Sequence, residues 1–445
     1  MRAAGTPLDA GAGPRAAARG RRFVGVHLVA VLVALAWCPK AAALYGGYED
    51  APRTFDMGIE YFVDVVSYEP ALPVREAWHE SEFRPGGPRG YRIAFGSIGP
   101  GDEWMDNELV LSYAANPSWT WFFRYFRGQD PDGRFEHEWL GMTADLRGGW
   151  YAKFLGEVIP DKENLDVGVG IGRERAATPD RILYRWELRA IFPDLWYNGK
   201  NTINARHENT AVDLQFSLRA ALGPMAWAAL EVDRDLPFRK AFGENDAAVP
   251  SEQNFRFGFE KCAFDLTGGV RLDDSRRIWA RVRDVSCDRS RDYFAPGHPE
   301  NDWDTDYRLA SVQVECWKTL VGGHEVGFGF EHAEFDEKVE YPNAVVDAGS
   351  HDDRADEVFY ARYRRRMGPA CFVTTGLYVD FVNRDLKEAG EPASTDRPVE
   401  SKISFSLEIP GSHGELTDAR LIVGATFQLD QVGFGGAFGQ WVATF

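Results

Sequence analysis

The sequence predicts an all-β chain wound as one up-and-down antiparallel sheet, and three observations carry that expectation. Apolar residues recur at every second position in many separate segments, the period of a strand whose two faces meet different surroundings. Short turn-forming connections alternate with long polar ones over most of the chain, the rhythm of hairpins standing side by side. Beyond the N-terminus no apolar run reaches the roughly 18 residues that a membrane helix requires, and the mean hydropathy is −0.36.

Taken in order, the chain begins with Arg15, Arg19, Arg21 and Arg22, then an apolar run from Val24 to Trp37, then Ala41-Ala42-Ala43. A basic segment, a short apolar core and small residues at a cleavage site make an export signal. Residues 1–43 are therefore expected to be removed, leaving one domain over 44–445. That segment carries six basic residues against one acidic, so its loss takes the formal charge from −18 to about −23. So acidic a chain argues against nucleic acid as a partner. Export also leaves Cys262, Cys287, Cys316 and Cys371 where disulfides persist. Their spacing contains no CxxC, which disfavours zinc, and it leaves all three pairings, or none, open.

The clearest strand is Val212 to Ala220, apolar at even positions and polar at odd ones. Leu165/Val167/Val169/Ile171 alternate with Asp166 and three glycines, and Ile182/Tyr184/Trp186/Leu188 with Arg185, Glu187 and Arg189. Phe255/Phe257/Phe259, Val326/Phe328/Phe330 and Ile403/Phe405/Leu407/Ile409 repeat the pattern. Trp119, Trp150, Trp186 and Tyr360 stand at expected strand ends, where an aromatic girdle would lie. A soluble β-sandwich binding carbohydrate would also alternate, but it requires tryptophans such as Trp119 and Trp121 to be buried or gathered in a groove.

Tight turns are expected at Asn116-Pro117, Arg147-Gly148-Gly149, Gly223-Pro224, Gly322-Gly323, Gly368-Pro369 and Pro410-Gly411-Ser412. Long acidic connections are expected over 194–210, 233–253, 288–306, 336–356 and 383–398. Phased back from the C-terminus, all the tight turns fall on one rim. About 17 strands follow Glu108, and one more upstream, from Gly58–Tyr68 or Gly90–Ile98, makes 18, with 16 as the other even count considered. No internal repeat beyond the hairpin rhythm and no separate domain is expected.

The last stretch places Leu421, Val423, Ala425, Phe427 and Leu429 on one face and ends Gly439-Gln440-Trp441-Val442-Ala443-Thr444-Phe445. A terminal aromatic closing an alternating strand resembles the C-terminal signature of bacterial outer-membrane β-barrels. The resemblance implies a transmembrane antiparallel up-and-down β-barrel in the outer membrane. It further implies that Phe445 and Trp441 signal to the barrel-assembly machinery, that the outside contacts outer-membrane lipid, and that the chain acts as a porin-like passage for small hydrophilic solutes. Porin-like barrels often trimerise, so a homotrimer is a further expectation.

Projecting the polar face inward makes Arg185, Glu187, Arg189, Asp213, Arg219, Arg256, Glu260, Arg281, Arg283, Arg362 and Arg364 the pore-lining candidates. Arginines and carboxylates around water would set a field that selects solutes; alternatively they pair with one another and only satisfy a polar interior. A basic wall also suits a channel specific for an anionic solute or one exporting an acidic polysaccharide. A non-conducting barrel would instead act in adhesion through its acidic loops. Neither catalysis, metal nor cofactor is expected. Asp302-Trp303-Asp304-Thr305-Asp306 opens like a calcium loop but has Tyr307 where Gly is needed and Gln313 where Glu is needed. Gly168-Val169-Gly170-Ile171-Gly172 opens no helix, against a phosphate loop. The histidines His137, His207, His298, His324, His332, His351 and His413 are scattered, with no spacing that marks a nucleophile and its base.

Overall fold

The computed structural model describes residues 90–95, 105–116, 118–130, 133–158, 164–178, 181–197, 206–222, 226–242, 255–293, 302–342, 349–368, 371–388, 390–411, 418–430 and 433–444. The expected leader over 1–43, the candidate strand Gly58–Tyr68 and the terminal Phe445 lie outside the described residues.

Every regular element among the described residues is a strand. The first seven are β1 (Gly90–Phe95), β2 (Met105–Asn116), β3 (Trp119–Asp130), β4 (Gly133–Arg147), β5 (Trp150–Glu157), β6 (Asn164–Thr178) and β7 (Arg181–Tyr197). They continue with β8 (Arg206–His207), β9 (Asp213–Ala221), β10 (Ala226–Phe242), β11 (Phe255–Asp273), β12 (Arg276–Tyr293) and β13 (Trp303–Leu320). The last are β14 (His324–Glu340), β15 (Ser350–Arg366), β16 (Phe372–Lys387), β17 (Ser394–Asp396), β18 (Val399–Gly411), β19 (Asp418–Gln428) and β20 (Gly433–Thr444).

β8 and β17 are short additions beside β10 and β16. The other 18 of the 20 strands each pair antiparallel with two neighbours. The sheet closes on itself through β1, where Gly90 stands opposite Ser112 of β2 and Thr444 of β20. The ring therefore has the expected strand number, and the place contested between two upstream segments is taken by the Gly90 segment. Closure leaves no unpaired edge.

The turns at Arg147-Gly148-Gly149, Gly322-Gly323 and Gly368 fall on one rim as phased, with positive φ at Gly148, Gly149, Gly322, Gly323 and Gly368, which glycine adopts without a Cβ penalty. The turn expected at Pro410-Gly411-Ser412 is not there: Pro410 and Gly411 continue β18, opposite Arg420 and Ala419 of β19, while Pro117, Gly223, Pro224 and Pro369 lie outside the described residues. One turn was not anticipated. Between Leu266 and Val285 two strands meet at Asp273-Asp274-Ser275, where the Ser275 amide donates to Asp273 Oδ1 at 2.8 Å.

Large apolar side chains face out and charges face in. Leu140, Phe154, Leu188, Phe328, Phe359, Leu377, Phe381, Phe405, Leu421 and Phe427 are all exposed, while Lys153, Glu187, Arg189, Arg281, Arg283, Glu315, Arg362, Asp380 and Lys402 are all buried. This inside-out patterning is that of a transmembrane β-barrel, whose outer face meets hydrocarbon rather than water. Trp119 and Trp121 are 40% and 46% exposed, which removes the soluble sandwich with buried tryptophans. Trp150 and Trp186 lie edge to face near the tight-turn rim, with ring centroids 5.5 Å apart. Tyr360 does not join that girdle; it is buried on the inward face, 4% exposed.

The five long connections are shorter than expected, because the strands beside them are longer. β10 to β16 run for 16 to 19 residues each, against the roughly 9–11 that cross a bilayer. Past the apolar belt their outward positions turn charged, as at Glu334, Asp336, Lys338 and Glu340 of β14, and the apolar positions turn inward. Ala263, Val285, Cys287, Leu309, Ala333 and Phe335 form a buried cluster there, with Phe259 packed against it. The wall thus has two tiers: a belt with charges inside, and above it an extension whose inside mixes this apolar cluster with buried ion pairs such as Lys261–Asp233 and Arg354–Asp356.

Cys262, Cys287, Cys316 and Cys371 form no disulfide with one another. Cys262 and Cys287 lie on adjacent strands one residue out of register, Cys262 opposite Ser286 and Cys287 opposite Lys261, so they point to opposite faces.

Candidate functional site on the inward face

The belt tier of the ring places polar side chains from successive strands side by side, since residues opposite each other in register share a face. On β5 and β7 the centre is Glu187. Lys153 Nζ donates to its two oxygens at 3.0 and 2.9 Å, the Tyr151 hydroxyl donates to Oε2 at 2.8 Å, and Arg189 Nε donates to Oε1. Arg185 lies 3.8 Å from the same carboxylate. Gly170 and Gly172 of β6 stand between these two strands, opposite Arg189 and Glu187; a Cβ at Gly172 would run into the Tyr151 ring.

On β11 and β12, Asp265 accepts from Arg281 at 2.8 Å and lies 3.7 Å from Arg283. Across β12, β13, β15 and β16 the centre is Glu315. Trp279 Nε1 donates to it at 2.8 Å, Arg362 stands 3.3 Å away, and Arg362 Nε donates to the Tyr378 hydroxyl at 3.1 Å. Tyr360 and Tyr378 stack at 5.5 Å, and the Arg362 guanidinium lies 4.8 Å from the Tyr360 centroid. Nearer the tight-turn rim, Glu325 receives Arg277 at 2.9 Å and Arg364 at 3.2 Å.

Of the pore-lining candidates, Arg185, Glu187, Arg189, Asp213, Arg281, Arg283, Arg362 and Arg364 occupy the inward face, and Arg219 lies opposite Arg185 in register. Arg256 and Glu260 do not. They belong to the extension of β11, where the outer face meets water, so Phe255, Phe257 and Phe259 turn inward and their charged neighbours outward. Arg256 there binds Glu208 at 2.7 Å and Glu260 binds Arg234. Sequence reasoning did not select Lys153, Asp265, Glu315, Lys402 or Asp380. Their signal was present, since each alternates with apolar neighbours such as Phe154, Phe264, Val314, Ile403 and Phe381.

The wall so built is largely self-neutralised. Among the described residues Arg185, Arg189, Arg277, Arg281, Arg283, Arg354, Arg362 and Arg364 each lie within ion-pair reach of a carboxylate, which favours a lining of fixed paired charges over a free basic ladder.

Outside the belt, the carboxylates of the extension crowd one another. Burial and the charges of Asp306 and Glu260 raise Asp288 above the usual carboxylate range; burial and Asp292, Glu340 and Asp302 do the same to Asp304. Burial and Asp336 raise Asp353. In the Asp302 segment, Asp302 accepts from the Tyr293 amide at 2.7 Å, while Asp304 and Asp306 lie within β13.

No family model matches the chain, and no curated protein does. Among solved structures, Acinetobacter baumannii OccAB1 is 9% identical, covering 82% of this chain and 99% of its own, with a TM-score of 0.41. A bacterial polysaccharide outer membrane secretin is 10% identical over 80% of this chain and 98% of its own, with a TM-score of 0.38. Pseudomonas aeruginosa OccK10 is 11% identical over 80% and 97%, with a TM-score of 0.37. Likeness of this degree says nothing about solute or mechanism.

Proposed function

We propose that the chain is a porin-like channel of the bacterial outer membrane that passes small hydrophilic solutes. The observation that carries this reading is the inside-out belt: a closed ring whose apolar side chains face out and whose ionised side chains face in. Such a ring is stable only around a polar interior and inside an apolar solvent. On this reading residues 1–43 are an export signal removed on translocation, the tight-turn rim faces the periplasm, and the C-terminal Trp441 to Phe445 segment serves assembly. A trimer is part of the same proposal, as is the lining role of Arg185, Glu187, Arg189, Arg281, Arg283, Arg362 and Arg364.

The test is single-channel recording of the refolded mature protein in a planar bilayer, with the reversal potential in a salt gradient. The channel reading expects a steady ohmic conductance with weak ion selectivity, because the lining charges are paired. Insertion without conductance would sink it.

One observation favours a second reading, a non-conducting surface barrel that acts by interaction. β10 to β16 stand several residues above the belt with an acidic outer face, and that extension has its own apolar cluster inside. A protein that inserts, never conducts and adheres through the extension would be the expected outcome there.

A further inference from the structure

The inward face between β15, β16 and β18 holds one carboxylate that its neighbours leave unsatisfied. Asp380 is 0% exposed. Neither of its oxygens has a hydrogen-bond partner. It sits at the extension-side end of the belt, flanked by the outward Val379 and Phe381, and its register partners are Val358 and Glu400. The charged groups facing it are Asp356 and Arg354 from β15 and Glu400 and Lys402 from β18. Arg354 Nε is already committed to Asp356 at 2.9 Å. Three carboxylates therefore share two cationic side chains, and the group left over is the most deeply buried of them.

Burying an ionised carboxylate without a donor costs several kcal/mol, and a local excess of one negative charge does not persist in such a place uncompensated. We propose that Asp380, with Asp356 and Glu400, forms a binding site for one alkali cation on the inward face of the barrel. Hard oxygen ligands suit such an ion. The surplus of a single negative charge selects a monovalent cation over a divalent one, which would overcharge a site already holding Arg354 and Lys402. The site does not depend on conduction: it concerns the folded wall and holds for a channel and for a closed barrel alike.

The experiment is thermal unfolding of the detergent-refolded mature protein at pH 7.5, in sodium or potassium chloride against choline chloride at equal ionic strength, for the wild type and Asp380→Asn. The wild type is expected to gain several degrees in its midpoint on exchanging choline for sodium or potassium. Asp380→Asn removes the surplus charge, and is expected to melt near the ion-loaded wild type and to ignore the exchange. Glu400→Gln retains Asp380 and should show a weakened response, which guards against a variant that simply fails to fold. A wild type indifferent to the exchange would overturn the proposal, as would one stabilised by acidification alone, since a bound proton would then supply the missing charge. Planar-bilayer conductance fails or succeeds separately, so the loss of one reading leaves the other intact.

Discussion

At the scale of single residues, Glu187 shows what the inverted interior demands. Three cationic side chains and a tyrosine hydroxyl converge on this one carboxylate, which is 2% exposed. A buried ion pair adds little net stability compared with apolar packing, but removing one partner strands the others. Glu187→Ala removes the carboxylate on which Lys153, Arg185 and Arg189 converge. It is expected to lower unfolding stability by about 3–5 kcal/mol, read as a fall in the urea midpoint of the detergent-refolded barrel. Glu187→Leu combined with Lys153→Met restores part of that loss if the charges and not the shape are at fault. The glycines beneath large inner side chains obey a simpler rule. At Gly329 a Cβ would meet the Tyr360 ring directly, and at Gly327 it would meet the Trp317 indole, so these positions are small because their cross-strand partners are large.

At the scale of strands, the same alternation means different things at different heights. Val212 to Ala220 is legible because it lies within the belt, where lipid outside and ions inside give period two with a fixed phase. Phe255 to Glu260 keeps the period, but its phase is reversed relative to the belt, since its outer face meets water. The sequence has no marker for the height at which the reversal happens, so alternation alone puts Arg256 and Glu260 on the wrong face. For the same reason acidic strand ends such as Asp233 to Phe242 resembled loops: charged outward residues flanking inward ones erase the apolar stripe. The Asp273-Asp274-Ser275 turn lacks Gly and Pro and so carries no turn signal in the sequence. The extension in turn carries a pH signature. Asp288, Asp304 and Asp353 all have raised carboxyls in the fold, so the folded extension binds more protons than the unfolded chain between the usual carboxylate range, near 4, and the raised values. Stability therefore rises as pH falls through the raised values and levels off below the usual range. Protection factors of β12, β13 and β15, with the base-catalysed intrinsic rate divided out, are expected to rise as pH falls through the raised carboxyl values. The triple variant Asp288→Asn, Asp304→Asn, Asp353→Asn should abolish that rise.

At the scale of the whole ring, the fold depends on its shortest full member. β1 contributes only six residues, yet it is the element through which β2 and β20 are joined. Residues 90–95 are thus the seam of a sheet otherwise assembled from consecutive hairpins, and the strand count is even only because of them. Without them β2 and β20 become edges, each presenting a row of unpaired amides and carbonyls in a setting where no water can satisfy them. The hairpins themselves would still form, because their registers are local. Deletion of residues 90–95 is therefore expected to leave the far-ultraviolet strand signal largely in place. It should abolish the compact, heat-modifiable form on cold gel electrophoresis and drive the protein to edge-to-edge aggregates. Retention of the compact form would mean that β2 and β20 can meet directly, and that closure is held by the sheet's curvature and not by this strand.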